Sequence, residues 1–333
     1  MSSPDRRIET TRRLAPVVAW LGVACVACVI QSQAFGQIGP SATAQPQDAA
    51  YRTATAQPAA PPAGGVAPAA PVGPPFPLLK LEQQFVQQVL SSWEDASSQI
   101  KTFNTEFERL EYHPAWFSDS VPMLRCRGRL SYSKPDRGMF KVEQIWRWKN
   151  TDPKLNDATA PGDYQLQKNE VGEHWVCDGK SVFQYDHLNR QLNVTPLPPE
   201  MQGQNIVEGP LPFLFGAKAD SLMRRYWMRS PRSDAAEIWL VAYPRWQADA
   251  ANYHHVEVIL DRKTMQPKAL QVHQPDGNER HAYVFQSPTV NGALDSLFGD
   301  LFSAPRTPLG WKRVVVEAPP QAAQTPDGRP LQR

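Results

Sequence analysis

Between His174 and Leu192 the chain reads HWVCDGKSVFQYDHLNRQL. One cysteine, two histidines and two aspartates fall within this stretch, the residue types that an active site uses. Asp178-Gly179 also lies between two runs of aromatic and β-branched residues. That pairing is the strongest short-range signal for a two-residue hairpin, because Gly179 supplies the positive φ of a tight turn. Asp178 is then explained by its turn alone. Asp261 in DRKTMQP and Asp276-Gly277 in PDGNER read the same way, as hairpin tips spread along a sheet and not converging on a cleft.

The histidines give no stronger chemistry. His254 and His255 are adjacent, and on a strand their side chains point to opposite faces, so they are expected not to share a metal. His113, His174, His187, His273 and His281 show none of the HxxxH or HExxH spacings of zinc sites. The sequence has no GxSxG elbow, glycine-rich phosphate loop or Walker lysine. The reading is a non-enzyme with no cofactor and no metal. A hydrolase would need Asp178, His187 and Asp261 to meet in one cleft.

The elements that carry these residues are mostly strands. From Lys101 the apolar period falls to two, in TFNTEFERLEY, LRCRGRLSY, GMFKVEQIWRW, HWVCDG, SVFQYD, RQLNVTPL, RRYWMRS, EIWLVAYP, HHVEVILD, PKALQVHQ and RHAYVFQ. Short turn-rich links without helical crossovers predict an antiparallel sheet that is largely a meander. Ahead of it, Leu78, Leu81, Phe85, Val89 and Trp93 recur at helical spacing and predict an amphipathic helix. The middle segment around Leu211-Pro212-Phe213-Leu214-Phe215 is too apolar for a solvated loop and reads as a short helix over the end of the sheet. One long sheet with so little helix must curl upon itself. The fold class is mainly β (α+β): a strongly curved antiparallel sheet or incomplete β-barrel, an N-terminal amphipathic helix and a short helical lid.

Residues 1–36 have the layout of a secretory signal. Arg6, Arg7, Arg12 and Arg13 precede the apolar stretch Leu14 to Ile30, and Ala34 and Gly36 stand at −3 and −1 of a cut before Gln37. An uncleaved anchor is the alternative; the apolar run is short against the ~20 residues of a span. Cys25 and Cys28, spaced CxxC, lie inside that run and read as small apolar filler. Residues 37–77 are Ala- and Pro-rich and predict a disordered tether. The folded domain is placed at 78–287, and 288–333 is read as a Pro-rich tail with two pieces that dock loosely. The address is export, to the periplasm or envelope. A net charge of +2 is too balanced to call for nucleic acid.

Cys126 and Cys177 remain in the domain. A meander sets their strands two apart, about 9.6 Å, beyond the Cα separation of about 7 Å that a disulfide tolerates. No bridge is expected.

Phe103 and Phe107, then GRLSYSKP from Gly128 to Pro135, Phe140, DGKSVFQYD from Asp178 to Asp186, and later VILDRKTMQPKALQV with DGNERHAYVF, resemble the periplasmic lipoprotein carrier family LolA over roughly Leu78 to Gln286. The wording PLPFLFG and AYPRWQADAANY is closer to a family of secreted planctomycete proteins that share this type of fold. The resemblance implies an incomplete barrel that takes acyl chains in an apolar cavity. Its lining candidates are Phe103, Phe107, Tyr132, Phe140, Phe183 and Tyr185. It also implies a lid contact at Lys134. The carrier family has an arginine there that bonds to the lid, and lysine keeps the charge but loses the planar multi-donor fork. The expected partner is an apolar ligand or acylated protein, with envelope proteins or the membrane surface as further partners. The alternative is a scaffold module of the same fold with a filled interior.

Overall fold

The computed structural model describes residues 73–316, apart from 153, 155–157, 198, 200–201, 203–211, 216–217, 252 and 293–300. The signal reading, and the tether reading up to residue 72, lie outside the described residues.

Helix α1, Lys80–Ser98, forms where the apolar stripe predicts it. It buries Val86, Val89, Leu90 and Trp93, one face at i, i+3, i+4 and i+7 spacing. Leu78 and Leu81 were expected to continue that stripe, but both are exposed; the first turn of α1 meets edge strand β8 through the polar side chains of Glu82 and Gln83 instead. The last turn of α1 holds no basic residue, so its terminal carbonyls depend on donors from elsewhere.

The first half of the sheet comprises β1 (Thr102–Tyr112), β2 (Leu124–Ser133), β3 (Arg137–Asn150), β4 (Gly162–Leu166), β5 (His174–Asp178), β6 (Ser181–Asp186) and β7 (Gln191–Pro196). Two short helices, α2 (Pro212–Phe215) and α3 (Ala219–Arg225), lead into β8 (Tyr226–Ser233) and β9 (Glu237–Pro244). After α4 (Gln247–Ala250) come β10 (His255–Asp261), β11 (Pro267–His273), β12 (Arg280–Val290) and β13 (Lys312–Val315). They form one 13-stranded sheet in the order β13-β7-β6-β5-β3-β2-β1-β12-β11-β10-β9-β8, with β4 beside the far end of β3. The two meanders join where β1 pairs with β12, from Phe103 opposite Val290 to Tyr112 opposite Arg280. The sheet is curved and open, ending in β13 on one side and β8 on the other.

Among the described residues all pairs are antiparallel except β13 with β7, which is parallel. The segment beyond residue 287 thus enters the sheet: β12 runs to Val290, and Phe302 is buried with Met139 and Val176. The hairpin tips follow the turn chemistry read from sequence. The Asp178 carboxylate accepts the N–H of Lys180 and of Ser181, both at 2.8 Å, and Gly179 has φ +90°. Asp261 accepts from Lys263 N and Thr264 N at its own turn.

The inner face of the sheet carries two adjoining cores. One packs α1 against Tyr226, Met228, Leu240, Val258 and Leu260. The other gathers Phe103, Phe107, Leu130, Tyr132, Phe140 and Trp175 under Leu214 of α2. Leu270 touches both.

Candidate functional site: the inner face of the sheet

Alternation along β1 sends Phe103, Thr105, Phe107, Arg109 and Glu111 inward, and all five are buried. Register then decides their neighbours. Tyr132 faces Phe103 and Gly128 faces Phe107 across β2, while Phe285, Tyr283 and His281 face Phe107, Arg109 and Glu111 across β12. Phe140 lies beyond Leu130, and Trp175 beyond Phe140. The rings stack: Phe107 on Phe140 at 4.8 Å and 14°, and Phe140 on Trp175 at 5.7 Å and 11°. Gly128 makes this possible. A Cβ there would strike the Lys141 carbonyl and come within 2.6 Å of the Phe107 ring.

Next to the rings the same face becomes charged. Arg109 Nη1 donates to Glu173 Oε2 at 3.0 Å, and Nη2 stands 2.7 Å from Glu111 Oε1. Burial works against the guanidinium's charge, but Glu173 and Glu111 outweigh it and hold Arg109 well above its ordinary pKa. His281 Nε2 is bonded to Glu279 Oε1. Burial pushes the Glu279 carboxyl up, yet the bond to His281 and the charges of His281 and His113 leave it below the usual range. Several buried polar atoms here have no hydrogen-bond partner among the described residues: Arg109 Nε, Glu173 Oε1, Trp175 Nε1 and His281 Nδ1. Such orphaned atoms are uncommon in folded proteins, and each calls for an explanation.

The inner face offers poor nucleophiles. Burial pushes the Cys126 thiol up to about 12 despite Arg109, and the Cys177 thiol up to about 11. The two cysteines sit on β2 and β5 with β3 between, opposite Ile145 and Gly138 of β3 respectively. Seven residues of β3 separate those positions, which is about 23 Å of strand and far outside disulfide range. Glu111, His113 and Glu279 bring ligand atoms within 4.8 Å of one another, but Glu111 already pairs with Arg109 and Glu279 is bonded to His281.

The residues expected to line a cavity divide between the faces. Phe103, Phe107, Tyr132 and Phe140 meet on the inner face. Phe183 and Tyr185 lie on the outer one: Trp175 faces Gln184 and Val176 faces Phe183, so an inward Trp175 turns Phe183 outward. There Phe183 packs with Leu192 and Val194 beneath the Arg313 guanidinium. Tyr185 stacks on His174 at 4.2 Å. A cavity of about 50 Å³ lies between α1 and the β10–β11 turn, lined by Trp93, Ser97, Ile100, Leu214, Met265 and Val290. Lys134 Nζ donates to Ser98 O at 3.2 Å, placing the cation that α1 lacks at its C-terminal, negative end.

Three of the histidine and aspartate positions weighed for hydrolysis stay apart. Asp178 and His187 flank opposite ends of β6, and Asp261 ends β10, beyond β3, β2, β1, β12 and β11 from β5. The inward charges Arg109, Glu111, Glu173 and His281 were missed. Their signal was present in TFNTEFERLEY, where the alternation through Phe103 and Phe107 continues into Arg109 and Glu111.

No family model matches the chain, and no curated protein matches it. Solved structures do. The neighbours include a LolA superfamily protein and an outer membrane lipoprotein-sorting protein domain from Vibrio parahaemolyticus. The first, from Nitrosomonas europaea, has TM-score 0.27 and 11% identity, over 62% of this chain and 96% of that one. An uncharacterized conserved protein from Thermus thermophilus gives TM-score 0.37 and 10% identity, over 70% of this chain and 100% of that one. The Pseudomonas aeruginosa MucA/MucB complex gives 0.30 and 13%, over 64% of this chain and 60% of that one. Likeness at this level carries no argument about function, which rests on the chain's own geometry.

Proposed function

We propose that this chain is a binding protein of the cell envelope, exported by residues 1–36, that takes an apolar or acylated ligand against the inner face of its sheet when α1 and α2, whose Leu214 covers the aromatic column, lift. The observation that carries this reading is the stacked column Phe107–Phe140–Trp175 running into orphaned polar atoms on Arg109, Glu173, Trp175 and His281. An apolar surface with a few convergent polar groups is the chemistry of a ligand site. A chain with an apolar body and a polar head would cover the rings and satisfy those atoms.

The cavity of about 50 Å³ is well below the ~300 Å³ of a small-molecule pocket, so in this reading the ligand enters as α1 and α2 move off the inner face. The polar ties of α1 include Gln83 Nε2 to Met228 O at 2.9 Å, Ser230 N to Glu82 Oε1 at 3.1 Å, Ala219 N to Glu94 Oε2 at 2.8 Å, Arg229 to Glu82, and Lys134 to Ser98 O. The same small cavity favours a second reading, an interaction module whose interior is permanently filled by its own side chains.

Titrating a pyrene-labelled C16 fatty acid into the chain from Gln37 onward separates the two. The carrier reading expects saturable one-to-one uptake that tightens severalfold in the Gln83→Ala/Lys134→Ala double variant, because loosening α1 raises the fraction of competent molecules. No uptake by either protein would leave the filled module.

A further inference from the structure

On the outer face, the β10–β11 hairpin brings together side chains that the inner site does not use. His255 faces His273, and Glu257 faces Gln271. Glu257 Oε1 lies 3.6 Å from His255 Nε2 and 3.7 Å from His273 Nε2, and the three ligand atoms all fall within 4.8 Å of one another. Ligand atoms around a tetrahedral zinc with bonds of about 2.1 Å stand about 3.4 Å apart. We propose that His255, Glu257 and His273 form a binding site for a divalent transition metal of the zinc class, with the fourth position open to water.

The neighbours fit this role. His254 Nδ1 is 2.8 Å from His255 Nδ1. With the proton on His255 Nδ1, His254 accepts it and leaves the His255 Nε2 lone pair facing the site. Metal-ligating histidines are almost always oriented in this way through their second nitrogen. The expectation that His254 and His255 point apart is therefore corrected: His254 precedes the strand, which begins at His255, so strand alternation does not govern it. Gln271 Nε2 donates to Glu257 Oε2 at 3.1 Å, holding one carboxylate oxygen and leaving Oε1 for the metal. The same amide nitrogen is 3.0 Å from His273 Nε2 and yields that contact when a metal arrives.

The rings of His255 and His273 are stacked at 3.8 Å and 17°. They must turn about their side-chain torsions to aim both lone pairs at one point; His273, 22% exposed, is the freer of the two, since His255 also stacks on Tyr243 at 4.8 Å. Ordinary cross-strand pairing accounts for two facing histidines. It does not account for a carboxylate between them, with His255 held by His254 and Glu257 by Gln271. Two imidazoles and one carboxylate suit zinc, copper or nickel over magnesium or calcium.

The test is calorimetric titration of Zn²⁺ into the EDTA-treated chain from Gln37 onward, without a polyhistidine tag. One equivalent should bind. Affinity should fall at least tenfold in His273→Ala and in the near-isosteric Glu257→Gln, and 10- to 100-fold in the positioning variant His254→Ala. His113→Ala, at the inner face, should bind as the parent does, with circular dichroism melts confirming that each variant is folded. No binding by the parent, binding that survives His273→Ala and Glu257→Gln, or loss in His113→Ala would each overturn the site.

Discussion

His174 shows how a side chain on this sheet acquires a property that its type alone does not give. It stacks on Tyr185, and burial, with Lys141 and His187 nearby, brings its pKa down to about 4 from an ordinary value near 6.5. The folded state therefore prefers the neutral ring, and the unfolded chain binds the proton first on acidification. This contribution to stability is present above about pH 6.5 and is lost as pH falls toward 4. Melting temperatures of the parent should drop more steeply over that window than those of His174→Asn. Parallel curves would contradict the assignment. The residue scale is also where sequence reading lost the site. Alternation divides residues between two faces but does not say which face is concave, so Phe183 and Tyr185 were grouped with Phe103 and Phe107, from which the β5–β6 register separates them. Arg109 and Glu111 were passed over because inward charges break the polar-out pattern that the eye follows.

Helix α1 is the element on which the account turns. Leu90 is fully buried in its inner face, and Leu90→Ala should cost about 2–5 kcal/mol, by transfer and cavity together, read from denaturant midpoints at constant m. Lys134→Ala should cost only about 0.3–1 kcal/mol, the worth of a cation at an exposed helix end. It should, however, raise amide exchange across the last turns of α1 while leaving β1–β3 protected. Unchanged exchange there would show that Lys134 does not hold the helix. The helix, most strands and the hairpin tips were legible because each depends on local spacing and turn residues. The parallel pairing of β13 with β7 was not, since a distant segment joins an edge by register that no local pattern announces. Exposure of Leu78 and Leu81 was hidden for a related reason: periodicity marks a stripe but not how much of it the sheet covers.

At the scale of the whole molecule, two meanders share one inner face because β1 pairs with β12. That joint sets the aromatic column of one half beside the helix-covered core of the other. Curvature was inferable from sequence, as one long sheet with little helix has to cover its own apolar face. How full the interior is was not inferable, because volume depends on the phase and depth of every inward side chain. The central claim is that this inner face takes a ligand. It is tested most directly by native mass spectrometry of the chain from Gln37 onward, purified without detergent from its own cell. The account predicts added mass matching a lipid or acylated peptide, lost on Phe140→Asp but retained on Phe183→Asp, whose ring faces the other side. A bare mass for the parent, or loss with Phe183→Asp alone, would contradict it.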